Sequence, residues 1–141
     1  MIQHDPNYSV RLTVLESVAI VPGTLPFILE RTFDTNNVVR RAAFSIIGSR
    51  VEMSTLSIQQ RLDLLRYGLV DNCESVRTAC SKMLVSGWLG YVGGDVISLL
   101  EHFDVESDLE LVEKAVKLIF KDKTEDFVDQ RFLKFFQNSG F

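Results

Sequence analysis

Apolar residues recur along the chain at the spacing of an amphipathic helix. Residues 57–90 contain two such stripes, one before Asp71 and one after it. The stripes consist of Ile58, Leu62, Leu65 and Leu69, and of Val76, Ala79, Cys80, Met83, Leu84 and Trp88. Because no comparable stretch alternates apolar and polar residues in the manner of a strand, the pattern predicts an all-α fold.

Start and stop signals around the stripes predict about eight helices. Ser57 with Gln60 reads as a capping box, and the pair Gly93-Gly94 interrupts the chain between two helices. The other candidate N-caps are Thr24, Asp95 and Thr124. The predicted helices cover residues 7–20, 24–32, 37–51, 57–70, 74–89, 95–103, 108–120 and 125–138.

An aspartate followed five and six positions later by Val and Arg occurs three times. The copies are DPNYSVR from Asp5, DTNNVVR from Asp34 and DNCESVR from Asp71. In a degraded fourth copy from Asp104, Leu109-Glu110 replaces Val-Arg. The copies start 29, 37 and 33 residues apart, and periods of this size are typical of solenoid proteins.

This spacing places each Asp at the turn between two helices and each Val-Arg in the first turns of the second helix. The carboxylate can accept N–H bonds at that helix start, and the Val can pack between stacked pairs. The Arg can reach an Asp of the neighbouring repeat, so we expect Asp71 near Arg40, or Asp34 near Arg77. The complete expected ladder is Asp5, Arg11, Asp34, Arg40, Asp71 and Arg77. Phosphate contact is the alternative role of the three arginines.

The pattern resembles the HEAT repeat, a helix-turn-helix unit that stacks into an α-α superhelix. The first and last predicted helices have no partner within the chain. The last carries Val128, Phe132, Phe135 and Phe136 on one face, where a capping helix would be polar. We therefore expect residues 1–141 to form one HEAT-repeat segment of a longer array, lacking both caps.

The segment SIQQRLDLLRYGLVDNCESVRTACSKMLVSGWLG, residues 57–90, is similar to part of the condensin G subunit family (CAP-G). The matching elements are Gln60-Arg61, Leu64-Leu65, Gly68-Leu69, Asp71, Val76-Arg77 and Gly87-Trp88-Leu89. The stretches ILERTFDTNNVVRRAAFSII and LLEHFDVES also fit this family. The resemblance extends over residues 5–120.

This resemblance implies a non-catalytic scaffold of the condensin complex. Members of the family bind the kleisin subunit (CAP-H type) and other condensin subunits, and with the kleisin they hold double-stranded DNA during mitotic chromosome condensation. The implied location is the nucleus and chromosome, with a cytoplasmic pool. The alternative is a HEAT-repeat scaffold of the nuclear-transport or phosphatase type, which binds protein but not DNA.

The charge of the chain is small and uneven. The net charge is −4 over 141 residues, with +1 in residues 1–70 and −5 in residues 71–141. An anionic partner is therefore expected to contact the first half and residues close to it, up to about residue 90. Cations without a repeat-wide partner are the candidate phosphate contacts: Arg41, Arg50, Arg61, Arg66 and Lys82. A solvated surface is the alternative for these residues, and is favoured for Lys114, Lys117, Lys121 and Lys123.

The sequence gives little support for catalysis, metal binding, a membrane span or a disulfide. It contains no phosphate-loop, dinucleotide-binding, zinc-protease or serine-hydrolase motif, so we expect no enzyme, cofactor or small-molecule substrate. A helical-repeat nucleic-acid enzyme, the remaining alternative, would need a catalytic carboxylate in a basic, aromatic-lined cleft. Cys73, Cys80, His4 and His102 lack zinc-ligand spacing, and neither a membrane span nor a secretory signal is seen. Seven residues separate the two cysteines, too far for a disulfide on one helix.

Overall fold

The computed structural model describes residues 7–121, all of them helical or in connecting turns. The helices are α1 (Tyr8–Ser17), α2 (Leu25–Glu30), α3 (Asn37–Arg50), α4 (Ile58–Gly68), α5 (Glu74–Lys82), α6 (Leu89–Tyr91), α7 (Val96–Leu100) and α8 (Leu109–Phe120). Short 3₁₀ turns follow α2 (Arg31–Phe33) and precede α4 (Met53–Thr55), and a π-helical segment (Met83–Trp88) joins α5 to α6. Asp5, Thr124 and the predicted helix 125–138 lie outside the described residues.

The three predicted N-cap residues within the described part of the chain all directly precede a helix, but only two of them cap it with their side chains. Ser57 forms the full capping box with Gln60, and the Asp95 carboxylate accepts the Ile97 N–H at 3.1 Å. Thr24 does not cap α2, because its hydroxyl donates to the carbonyl of Ala19 and accepts the Val21 N–H instead. Its side chain therefore closes the preceding turn rather than the helix.

Two further helix boundaries can be compared with their predicted positions, the end of α1 and the break between α6 and α7. Helix α1 ends at Ser17 and not at residue 20 as predicted. The break between α6 and α7 is where it was predicted, at Gly93 and Gly94, whose φ angles are +73° and +83°. Only glycine adopts this left-handed region readily. These two residues therefore end the continuous helical stretch that runs from α5 through the π-helical segment to α6.

Consecutive helices form pairs: α2 packs against α3 and α4 against α5, and α7 and α8 together line an apolar pocket with α4 and the π-helical segment. Helix α3 packs against α1, α5 and the π-helical segment, whereas α8 packs against α4 and the π-helical segment. The repeat valines Val39 and Val76 are fully buried between the pairs, as predicted. Val10, the first of the series, is 57% exposed. Within residues 7–121, no helix is long and apolar enough to span a membrane.

A glycine pair brings two helices into backbone contact. Gly48 of α3 faces Gly87 of the π-helical segment, and a Cβ built on Gly87 would lie 2.4 Å from the carbonyl oxygen of Gly48. A Cβ on Gly48 would lie 2.9 Å from the Cα of Met83. These two residues set how closely α3 approaches the second helix of the next pair.

Candidate nucleic-acid interface

Two of the three repeat arginines bind the aspartate of the following repeat. Arg11 forms a bidentate ion pair with Asp34, with Nε–Oδ2 at 2.7 Å and Nη2–Oδ1 at 2.9 Å. Arg40 holds Asp71 in the same way, at 2.9 and 3.1 Å. Arg40 also donates Nη1 to the carbonyl of Asp34, in its own turn, at 2.9 Å. The Arg40–Asp71 pair is one of the two expected from the spacing, and Arg40 combines a bidentate ion pair with a bond that closes its own turn.

Each aspartate also organises the start of its second helix. Asp34 Oδ1 accepts the N–H of Asn36, and Asp71 Oδ1 accepts the N–H of Cys73, both at 2.9 Å. The acceptor role was expected, but the donor is in each case the residue before the helix. The side-chain cap of α3 itself is Asn36, which accepts the N–H of Val38 at 2.8 Å.

Asp34 is the most buried member of the ladder, with only 1% of its side chain exposed. Burial alone would raise the pKa of this carboxyl. The hydrogen bonds from Arg11 and from the Asn36 N–H, together with the charges of Arg11 and Arg31, outweigh burial and lower the pKa of Asp34 below its usual value. The carboxylate is therefore ionised and structural, and it is not available to an external partner.

The ladder ends at the third arginine. Arg77 donates Nη1 to the carbonyl of Asp71 at 2.6 Å, but within residues 7–121 it forms no ion pair. The carboxylate of Asp104, in the degraded fourth copy, instead accepts the hydroxyl of Ser107. The expected alternative pairing of Asp34 with Arg77 is therefore wrong, because Arg11 fills that place.

Arg61 is not a candidate phosphate contact, contrary to the prediction. The residue is buried, and its guanidinium donates to the carbonyl of Met53 at 3.1 Å and to that of His102 at 2.6 Å. Burial lowers the pKa of Arg61. The side chain joins the second helix pair to the third from inside the fold, and a charge reversal there would test folding rather than binding.

Arg66 and Arg50, two further candidate phosphate contacts, form hydrogen bonds to nearby residues of the fold. Arg66 binds Asp63 at 2.6 Å and Asp108 at 3.1 Å, and the hydrogen bond to Asp108 raises the pKa of Arg66. Arg50 is exposed, but its Nη2 donates to the carbonyl of Val18 at 3.1 Å. Arg66 links helix pairs much as the repeat arginines do, although no sequence repeat announces it.

Arg41 and Lys82 are exposed and face a common groove between α3 and α5. The α3–α5 groove has a volume of about 540 Å³ and is lined by Arg41, Ser45, Glu74, Ser75, Thr78, Ala79 and Lys82. It continues beside the glycine pair into a depression of about 300 Å³ that adds Ser49 and Ser86. Hydroxyls and cations of this kind are the usual donors to a phosphate backbone.

Three more cations line the neighbouring surface. Arg77, Lys114 and Lys121 face a cleft between α5 and α8 that shares Lys82 with the groove. Lys117, in contrast, pairs with Glu113 at 3.3 Å on an exposed face. The lysines of α8 were all expected to be a solvated face, and the spacing of 114, 118 and 121 is the signal that separates two of them from Lys117.

Residues 7–121 offer few groups for binding a metal or for thiol chemistry. Among residues 7–121, no three His, Cys, Asp or Glu side chains come together as a potential metal site. Cys73 and Cys80 are free thiols, and burial raises the pKa of Cys80 to about 12. The Ser75 hydrogen bond lowers the pKa of Cys73.

Stacked helix pairs joined by Asp–Arg links define an α-α solenoid of the HEAT-repeat class. Over 120 residues the chain is 37% identical to human condensin complex subunit 3, covering 85% of the chain and 12% of the relative. Over 133 residues it is 31% identical to condensin complex subunit 3 of Schizosaccharomyces pombe, covering 94% of the chain and 15% of the relative. The chain is thus a homologue of condensin complex subunit 3 within this segment.

A solved structure agrees with the sequence comparison. The crystal structure of the S. pombe condensin Cnd3–Cnd2 subcomplex superposes with a TM-score of 0.78 and 33% identity, over 84% of this chain and 16% of the matched chain. No protein-family model matches the chain. The chain spans only about an eighth to a sixth of the length of these relatives.

Proposed function

We propose that this chain is part of a non-catalytic condensin scaffold that binds the kleisin subunit and contributes to the binding of duplex DNA. The homology to condensin complex subunit 3 supports the scaffold role. The Cnd3–Cnd2 subcomplex, in which a relative is paired with its kleisin, supports the partner. The biological setting that follows is mitotic chromosome condensation on nuclear chromosomes.

The α3–α5 groove is the observation that carries the DNA part of the proposal. Arg41 and Lys82 are its two cations, and Glu74 is its one carboxylate within the described residues. Neither cation has an ion-pair partner in residues 7–121, so no ion pair has to break before either one binds a phosphate. About two phosphate contacts, one from each cation, would be a contribution to a larger surface, since affinity for duplex DNA grows with the number of neutralised phosphates.

Reversing the groove charge should weaken DNA binding. In Lys82→Glu, and more strongly in Arg41→Glu with Lys82→Glu, we expect lower affinity for a short fluorescent duplex measured by anisotropy at several salt concentrations. Each lost phosphate contact should reduce the magnitude of the log K against log salt slope by about 0.9. The measurement is made at low salt, where a small number of contacts still gives a signal.

Lys117→Glu is the matched control because it makes the same charge change outside the groove. It should alter the affinity only slightly and leave the slope near that of the wild type. If Lys117→Glu and Lys82→Glu weaken binding equally, the effect comes from net charge and the groove has no special role. If none of the three variants changes the slope, the groove does not contact DNA.

A kleisin pull-down separates this proposal from the alternative of a general protein-binding scaffold. The condensin kleisin, co-expressed with the chain, should be retained on it, and retention should survive Arg41→Glu with Lys82→Glu. A scaffold of the transport or phosphatase type would retain neither the kleisin nor DNA. Loss of kleisin retention in the wild-type chain alone would contradict the partner assignment but leave the DNA result to stand separately.

A further inference from the structure

A second depression opens beside the groove, between α5 and α8. This α5–α8 cleft has a volume of about 790 Å³. Its floor is apolar and formed by the half-buried side chains of Leu69, Val85 and Leu118, which pack on the core. Its rim carries the cations Arg77, Lys82, Lys114 and Lys121 and the carboxylate of Glu74.

Arg77 enters this cleft with most of its N–H donors unused. Arg40, one repeat earlier, donates Nη1 to a turn carbonyl and clasps Asp71 through Nε and Nη2. Arg77 makes the equivalent Nη1 bond to the carbonyl of Asp71. Within residues 7–121 its Nε and Nη2 have no partner, so a fork that holds a carboxylate at the two earlier junctions is open at this one.

We propose that the α5–α8 cleft binds an acidic peptide segment of a partner protein. A carboxylate of that segment takes the place on Arg77 that the next aspartate takes on Arg11 and Arg40. A large apolar side chain next to it covers the floor of Leu69, Val85 and Leu118. The lysines of the rim supply the complementary charge for further acidic residues.

The apolar floor favours a peptide over duplex DNA as the occupant. A phosphate backbone offers charge and hydrogen-bond acceptors but no large apolar group, so contact with DNA would leave the three floor side chains in water. An apolar centre with a polar rim is the usual composition of a protein interface. The volume also lies in the range of pockets that enclose several side chains of a ligand.

The test uses the full chain and a displayed library of random ten-residue peptides. Peptides enriched on the wild type should combine at least one Asp or Glu with a large apolar residue. Their affinity, measured by anisotropy of the labelled peptides, should fall about tenfold or more in Arg77→Gln, since a charge-assisted fork is lost. Leu118→Glu should cause a comparable loss through the floor, without touching Arg77.

Arg41→Gln is the matched control, because it removes a guanidinium from the groove and leaves the cleft intact. Its peptide affinity should stay within about twofold of the wild type, and thermal melting of all variants confirms that they are folded. The proposal is overturned if no peptide is enriched above background, or if the enriched peptides bind Arg77→Gln as tightly as the wild type. It is also overturned if duplex binding falls equally in Arg77→Gln and Arg41→Gln while no acidic peptide binds, which would assign the cleft to DNA.

Discussion

Replacing Arg40 by alanine should lower the free energy of unfolding by about 2–3 kcal/mol. The side chain holds both oxygens of Asp71, whose side chain is only 12% exposed, and it also closes the turn at the carbonyl of Asp34. Removing it deprives a poorly hydrated carboxylate of its charged partner, leaving it only the Cys73 N–H, and it also takes the arginine donor from the Asp34 carbonyl. Both losses exceed that of a surface ion pair. For a chain of this size the expected fall in Tm is roughly 5–10 °C, measured by thermal unfolding.

Arg41→Ala provides the comparison, since Arg41 is adjacent in sequence and has the same side chain. It is exposed in the α3–α5 groove and makes no ion pair within residues 7–121, so its removal should change the stability by no more than about 0.5 kcal/mol. Equal Tm values for the two variants would mean that the Asp–Arg links do not stabilise the stack. A fall in both would point to a general loss of charge on α3.

The repeat signature was predictable because its spacing has a single physical use. An Asp at a helix–helix turn and an Arg six residues later can reach successive repeats only along one edge of the stack. The links Arg11–Asp34 and Arg40–Asp71 follow from that, as does the burial of Val39 and Val76. The helix starts at Ser57 and Asp95 were predictable for a similar local reason.

The spacing of the sequence does not predict which of the remaining arginines are buried and which are exposed. Arg61 and Arg41 are both unrepeated arginines on helices, yet one is buried against two carbonyls and the other faces solvent. The difference depends on where the end of α7 lies relative to α4, and that is a tertiary property. For the same reason the sequence does not predict that Lys114 and Lys121 lie beside Lys82. The α5–α8 cleft that brings them together depends on the position of α8 in the tertiary structure.

The π-helical segment was also missed, and it explains why the groove has its shape. Residues 74–89 have an uninterrupted helical period, so the sequence predicts one continuous α-helix. In the structure the helix widens at Met83–Trp88, which is where Gly87 meets Gly48. Close backbone contact at this point leaves a shallow junction beside Lys82 and Ser86, and segments of this type are frequent at functional sites.

Gly87→Ala should therefore be among the most disruptive single changes in the chain, with an expected loss of about 3 kcal/mol in the free energy of unfolding. The new Cβ would lie 2.4 Å from the carbonyl oxygen of Gly48 and 3.1 Å from its Cα. The obstacle is backbone and not the end of a flexible side chain, so the two helices must separate and the packing between α3 and the π-helical segment is lost. Urea denaturation of the two proteins measures the difference.

Gly90→Ala is the control for this change, because it adds the same methyl group three residues further along. Gly90 lies in α6, and apart from its chain neighbours and its own helix backbone no heavy atom lies within 4 Å of its Cβ position. Alanine is also the better helix former by up to about 1 kcal/mol. We therefore expect Gly90→Ala to be neutral or stabilising while Gly87→Ala is strongly destabilising. Similar urea midpoints for Gly87→Ala and the wild type would show that α3 and the π-helical segment separate at little cost, and that the glycine pair does not hold the two repeats together.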